Sequence, residues 1–400
     1  MKPNDRILRL IERYQELAAS PKNKARRERW GNIQHVSRDV WRGTARLDRS
    51  CQKGQVPVIA GMSNLFWHKK FGFSMQEYLL DPDTFLENFL KICIERFEKI
   101  DDDYVLDYQI QLRMASVFEA AMFGARPIYG DDIEPFLGKE PVITCQEDLD
   151  ALPAFNFRET GLMPKGLRLY DTLQEYCGDI FEVHFPEWIR APWGVALYIC
   201  GFTDLLMDIY DEPEFVENVM DTITRTEMAY FQQRAAYTGK PLGKINLYND
   251  DVSFPIVSPK LYRELILPRE QQLSELSGGI YYWHSCGCLD PLYREIRKVP
   301  GLEMIHCSAW SDPKACVETF HDTAIEVCTN TQKDVIDAAP QEMYEHFKKI
   351  CSTLNQGDAL GYCFHMEGLE WEKSEERSFK LANEFACQVR AAARDAAEEK

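Results

Sequence analysis

From Val56 onward, short apolar runs alternate with stretches of helical period, a pattern that predicts parallel strands covered by helices. Strands are expected at 56–60, 104–107, 194–199, 244–248, 279–284, 303–306, 324–328 and 359–363. An aromatic loop, 64–68, follows the first of them, and 125–129 reads as a further extended piece. Helices are expected at 81–100, 119–123, 211–237, 289–299, 313–320 and 340–354, with one opening at Ser258-Pro259 and one closing the chain. Several begin on a strong start signal. In Asp81-Pro82 and Asp211-Glu-Pro213 an acidic residue stands before a proline, whose fixed φ suits the first helical turn. Residues 138–170 are richer in proline and glycine and read as an excursion from the main pattern. About eight strand–helix units favour one closed (β/α)8 TIM-type barrel over an open doubly wound sheet.

The first 50 residues stand apart. Leu8, Leu10, Ile11, Tyr14 and Leu17 form a helical stripe, so 1–50 reads as a helical arm before a barrel at 51–400. The basic run Lys22, Lys24, Arg26, Arg27 and Arg29 reads as a solvated face or linker.

Composition narrows the function. The chain has 400 residues, 46 Lys plus Arg against 64 Asp plus Glu, and a formal charge of −18. That balance argues against a nucleic-acid binder, which carries a basic footprint. No apolar run approaches the roughly 20 residues needed to span a bilayer, and MKPNDRILRLIERY is not a signal peptide. The expectation is a cytoplasmic protein. Thirteen cysteines, an odd number in a large chain without a secretion signal, do not read as a disulfide framework. No Gly-x-Gly-x-x-Gly or Walker-type sequence follows a strand, so dinucleotide and P-loop readings lack support.

Barrel active sites are built at the C-terminal ends of strands. The most informative end is His284-Ser-Cys286-Gly-Cys288, because residues two apart on a strand share a face. An imidazole and a thiol there form two corners of a zinc site. Cys363, at the end of the last strand, offers a third, leaving the open position of a catalytic zinc. Cys288 and His365 are alternates, and a hydrogen-bonded core histidine with packing thiols is the competing account. Asn249-Asp250-Asp251 ends another strand. Adjacent carboxylates cannot point the same way, so one of Asp250 and Asp251 faces the pocket as acid, base or support for a ligand, unless the segment is a simple turn. Tyr248, Tyr282, His306, Trp67 and Trp310 lie near strand ends and are the expected pocket residues. Cys307 stands beside His306 and is a further pocket candidate.

Several segments carry a family resemblance: VPVIAG, DPDTFLENF, EAAMFGARPIYGDDIEP, APWGVALYICGFTDLLMDIYDEPEFVENVM, KINLYNDDVSFPIVSPKLYRELILP, YYWHSCG and GDALGYCFHMEGLEWE. From about Val56 to Phe385 the chain resembles the uroporphyrinogen decarboxylase superfamily, and within it the zinc-dependent, corrinoid-linked methyltransferases. The resemblance implies zinc held by His284, Cys286 and Cys363. It also implies methyl transfer between a small organic substrate (a methyl ether or similar donor, or a thiol acceptor) and the cobalt of a corrinoid. The corrinoid is expected on a partner protein docked at the barrel mouth, and a homodimer fits the same picture. VPVIAGMSNLFWHKK lacks the arginine-containing motif with which true uroporphyrinogen decarboxylases grip propionates, and a −18 chain is a poor host for a polyanionic tetrapyrrole. A metal-free decarboxylase and a non-catalytic corrinoid- or tetrapyrrole-binding module are the alternative readings.

Overall fold

A computed structural model describes residues 3–31, 55–115, 117–357 and 361–399. Its strands, among the described residues, are β1 Val58–Met62, β2 Gln109–Gln111, β3 Pro127–Ile128, β4 Phe136–Leu137, β5 Glu182–His184, β6 Trp188–Arg190, β7 Ile245–Tyr248, β8 Ile280–His284, β9 Met304–Cys307, β10 Ala324–Thr329 and β11 Gly361–Leu369. The chain divides into two compact units. One comprises Met1–Gln111, Thr172–Val183 and Met304–Lys400; the other comprises Leu112–Asp171 and His184–Glu303.

In the first unit, β1, β11, β10 and β9 pair side by side and parallel, with Val58 opposite Phe364, Glu326 opposite both Cys363 and His306, and Ala324 opposite Met304. All six residues of β10 are buried, as expected of a parallel strand covered on both faces. The edge of β1 is completed without a strand at 104–107, where one was expected. Instead Asp103 accepts from Val58 N–H at 2.9 Å and Asp102 accepts from Ala60 N–H at 3.0 Å. Carboxylates thus stand in for ladder carbonyls, and four arginines balance them. Arg96 and Arg26 approach Asp102 at 3.2 and 3.9 Å, while Arg29 and Arg390 pair with Asp103.

That network corrects the reading of the basic run. The helices Asp5–Ala18 and Pro21–Arg29 form as their caps predict, with Asn4 and Ser20 accepting the first free N–H groups. Only part of the second is a solvated basic face, at exposed Lys22 and Lys24. Arg26 is buried and donates to the carbonyls of Tyr104 and Ile100, Asn23 bridges Ala18 and Leu106, and Lys22 donates to the Phe97 carbonyl at 2.8 Å. The expected boundary at residue 50 lies outside the described residues. The expected aromatic loop at 64–68 is the helix Asn64–Phe71, capped by Ser63.

In the second unit, β6, β7 and β8 are parallel neighbours, with Arg190 opposite Tyr248 and Tyr248 opposite His284. Each strand is followed by helix: Pro192–Cys200 after β6, and Leu267–Ser277 after β7. Parallel strands with helical crossovers in both units are the construction of the (β/α)8 barrel class. The expected strand at 194–199 is instead the helix Pro192–Cys200. All but one of its residues are buried, so its sequence shows no polar face, and a short apolar run does not tell strand from helix by period. Pro192 at its first turn marks the true start, and the strand lies just before it. No single helix among the described residues is long and apolar enough to cross a membrane.

Candidate metal centre

The site forms where β7 and β8 end, side by side. Asn249 N–H donates to His284 O at 2.8 Å, extending the ladder one residue past β7. The chain then turns, and the turn is tied to the end of β8. Ser285 Oγ donates to Val252 O at 2.9 Å, and Phe254 N–H donates to Cys288 O at 3.0 Å. Gly287 permits this approach. A Cβ there would stand 2.2 Å from Ser253 Cβ, so Gly287→Ala must displace the turn. Overpacking of this kind costs about 1–3 kcal/mol. We expect Gly287→Ala to lower the melting temperature of the purified protein; an unchanged value would show that the turn gives freely.

Alternation along β8 sends Tyr282 and His284 to one face and Trp283 to the other, where its indole N–H donates to Glu270. His284 is 1% exposed. Its ring stacks on Tyr248, with centroids 5.3 Å apart and planes 14° apart, and it meets Trp188 edge-on at 6.4 Å. Tyr282 OH lies 3.3 Å from His284 Nδ1 and so orients the ring. The other nitrogen, Nε2, faces Asp250 Oδ1 at 3.1 Å and Cys286 Sγ at 3.3 Å. These three donor atoms lie within 4.8 Å of one another.

The donor set fits a divalent metal. Tetrahedral zinc at ordinary bond lengths would set nitrogen and sulfur about 3.6 Å apart and nitrogen and oxygen about 3.3 Å apart. Both edges are therefore within a few tenths of an ångström of what the ion requires. A carboxylate, a thiolate and a neutral imidazole also sum to the charge that balances a dication. The Asp250 side chain keeps 24% of its surface exposed and Cys286 is half-buried, so the cluster is open on that side.

The two adjacent aspartates divide their roles. Asp250 turns to His284, whereas Asp251 pairs with Arg190 of β6 and its carbonyl accepts from Trp193 Nε1 at 3.2 Å. Burial pushes the Asp251 carboxyl upward, and the Arg190 guanidinium pulls it back. Gly194 makes room for this pair, since a Cβ there would lie 2.6 Å from Asp251 Oδ2. Arg190 spans the rings of Tyr198 and Tyr248, and its N–H donates to buried Glu119 at 2.9 Å.

Of the residues singled out from the sequence, Tyr248, Asp250, Asp251, Tyr282, His284 and Cys286 thus meet in the second unit. Cys288 is half-buried in the same turn. The others belong to the first unit. Cys363 is buried on β11 opposite Glu326, and burial raises its thiol well above the ordinary range. It belongs to no cluster of three potential ligands among the described residues. His365 lies 3.4 Å from Glu326 Oε1, and His306 is buried on β9. Cys307, the other residue marked there, is likewise buried at the end of that strand. Trp67 stacks on Phe71 at 5.9 Å within the aromatic core of its own helix. Trp310 is 65% exposed.

Three supports went unread in the sequence: Trp188, Arg190 and Glu119. The first two sit on a three-residue strand too short to show alternation, and the signal that locates it is the helix start at Pro192.

A family model described as Uroporphyrinogen decarboxylase (URO-D) matches residues 103–366. The chain belongs to that family. The match contains β7, β8 and every donor of the cluster. Among solved structures, a methyltransferase from Methanosarcina mazei is similar, with a TM-score of 0.58 and 15% sequence identity, covering 85% of this chain and 93% of that one. At that identity the likeness concerns the fold. No curated protein matches this sequence significantly.

Proposed function

We propose that this member of the family is a zinc-dependent methyltransferase, moving a methyl group between a small organic substrate and the cobalt of a corrinoid carried by a separate protein. The observation that carries the reading is the cluster of His284 Nε2, Cys286 Sγ and Asp250 Oδ1, open on one side. The similar fold of the Methanosarcina mazei methyltransferase supports it. His284 and Cys286 are the two ligands expected from sequence, and Asp250 is the third donor that their own unit supplies. This reading gives Asp250 the place first given to Cys363. Loss of metal from Cys363→Ser, with retention in Asp250→Asn, would return that place to Cys363.

When bound, the zinc supplies a Lewis acid toward a substrate oxygen, or holds a thiol as its thiolate near neutral pH. The rest is done by the chain. Tyr282 and Tyr248 fix the His284 ring, so that Nε2 points to the cluster. Asp251, turned away from the cluster and ion-paired with Arg190, steadies the turn that carries Asp250. The partner carrying the corrinoid approaches the open side, where Asp250 and Cys286 are half-buried.

The test is an anaerobic methyl-transfer assay. Reduced cobalamin is followed by its absorbance with a panel of methyl ethers, amines and thiols, alongside metal analysis. Methylation of cobalamin by one donor class, with about one zinc per chain, is expected. Release of carbon dioxide from a carboxylated substrate by zinc-free protein would establish the decarboxylase reading instead.

A further inference from the structure

Glu270 is wholly buried, on the helix Leu267–Ser277 that follows a π-helical turn at Tyr262–Ile266. It touches neither substrate space nor any proposed ligand, yet it is a carboxyl removed from water, which needs partners to persist. Those partners are specific. Tyr262 OH donates to Oε2 at 2.5 Å, and Trp283 Nε1 donates to the same oxygen at 2.9 Å. The side-chain amide of Asn249 lies beside the carboxyl. Glu270 Oε1 and that amide are both buried and otherwise unmatched, so each is the other's natural partner.

The placement of these partners carries the argument. Trp283 immediately precedes His284, and Asn249 immediately precedes Asp250. Side chains alternate on an extended chain, so a group that holds residue 283 on the outer face sets residue 284 on the inner one. The Asn249 N–H to His284 O bond already joins the two ends in front. Glu270 joins them from behind.

We infer that Glu270 is a positioning residue of the metal centre, fixing the ends of β7 and β8 through Asn249 and Trp283 so that Asp250 and His284 present their donor atoms together. The inference rests on the zinc reading above and adds a residue with no part in binding the ion directly. Its chemistry is that of a buried anchor. Groups that orient ligands in this way typically contribute about ten- to hundredfold to metal affinity.

The test is metal affinity of the whole protein, measured by chelator competition with zinc and by the thiolate-to-cobalt absorption of the Co(II)-loaded form. Glu270→Leu and Trp283→Phe are each expected to weaken binding ten- to hundredfold and to alter the Co(II) spectrum. Their combination should weaken it little further, because both break one link. Glu270→Gln keeps an oxygen for Trp283 or Tyr262 and should recover most of the affinity. Where Glu270→Leu fails to fold, Trp283→Phe and Glu270→Gln carry the test. Wild-type affinity and spectrum in folded Glu270→Leu or Trp283→Phe, while His284→Ala loses the metal, would overturn the inference and leave the zinc reading standing. Metal retained by His284→Ala would overturn both.

Discussion

On the zinc reading, replacing His284 by alanine will abolish metal binding, and Cys286→Ser will do nearly the same. His284 Nε2 is the donor that faces both of the others, at 3.1 and 3.3 Å. Zinc bound by protein ligands is held by about 10–16 kcal/mol in total, so one of three protein ligands accounts for about 3–5 kcal/mol, on the order of a thousandfold in affinity. Metal analysis after dialysis against a weak chelator should find near-stoichiometric zinc in the wild type and little in either variant. The ring of His284 packs between Tyr248 and Trp188, so the alanine also leaves a cavity. Cys286→Ser, at a half-buried position, separates ligand loss from that packing loss. Full zinc occupancy in Cys286→Ser would remove the thiol from the site.

Raising the pH from 5 to 8 will destabilise the fold, and the cause lies one step behind the site. Burial pushes the Glu119 carboxyl from its ordinary 4.5 up to about 7, although the Arg190 N–H it accepts works against the rise. Glu227, buried with neither oxygen hydrogen-bonded among the described residues, is raised well above its usual range by burial and by the neighbouring Glu119. In both, the folded state holds its proton more tightly than the unfolded chain does. Below about pH 4.5 both states are protonated and no penalty exists. As pH rises toward 7 the unfolded chain releases protons that the folded protein retains, so stability falls. Through Glu119 the loss is about 3 kcal/mol. In a 400-residue chain that corresponds to about 4 °C in melting temperature. Glu119→Gln keeps an oxygen for Arg190 N–H and should flatten this part of the profile. Glu227→Gln should extend the gain above neutral pH. Parallel melting profiles for the wild type and both variants between pH 5 and 8 would refute this assignment.

The pairing at 284 and 286 was legible because it needs only the strand period and a strand end. Both are local, and β8 begins and ends within a residue of its expected bounds. Asp250 was legible only as one of two adjacent carboxylates, either of which could face the pocket, and its contact with His284 was not legible at all. It depends on the two strands lying in parallel register, Tyr248 opposite His284, which no local pattern encodes. Arg190 was hidden by the apolar helix after it, and Glu270 by its remove from every recognisable motif. A buried glutamate on an otherwise ordinary helix has no periodic signature. Its meaning appears only when Trp283 is known to face outward. The missing strand at 104–107 is a different case. Tyr104 to Leu106 are buried and apolar, as the pattern requires, but Asp102 and Asp103 occupy the edge of β1 with their side chains.

Those two aspartates also bear on how this protein can be handled. Each is fully buried, and besides Arg96 their counter-ions come from distant parts of the sequence: Arg26 and Arg29 before residue 30, and Arg390. A shortened expression fragment beginning at Val56 would keep Arg96 and Arg390 but lose Arg26 and Arg29, leaving each buried aspartate with one of its two counter-ions. The terminal segments are therefore integral to the barrel, and affinity tags belong beyond them, never in their place.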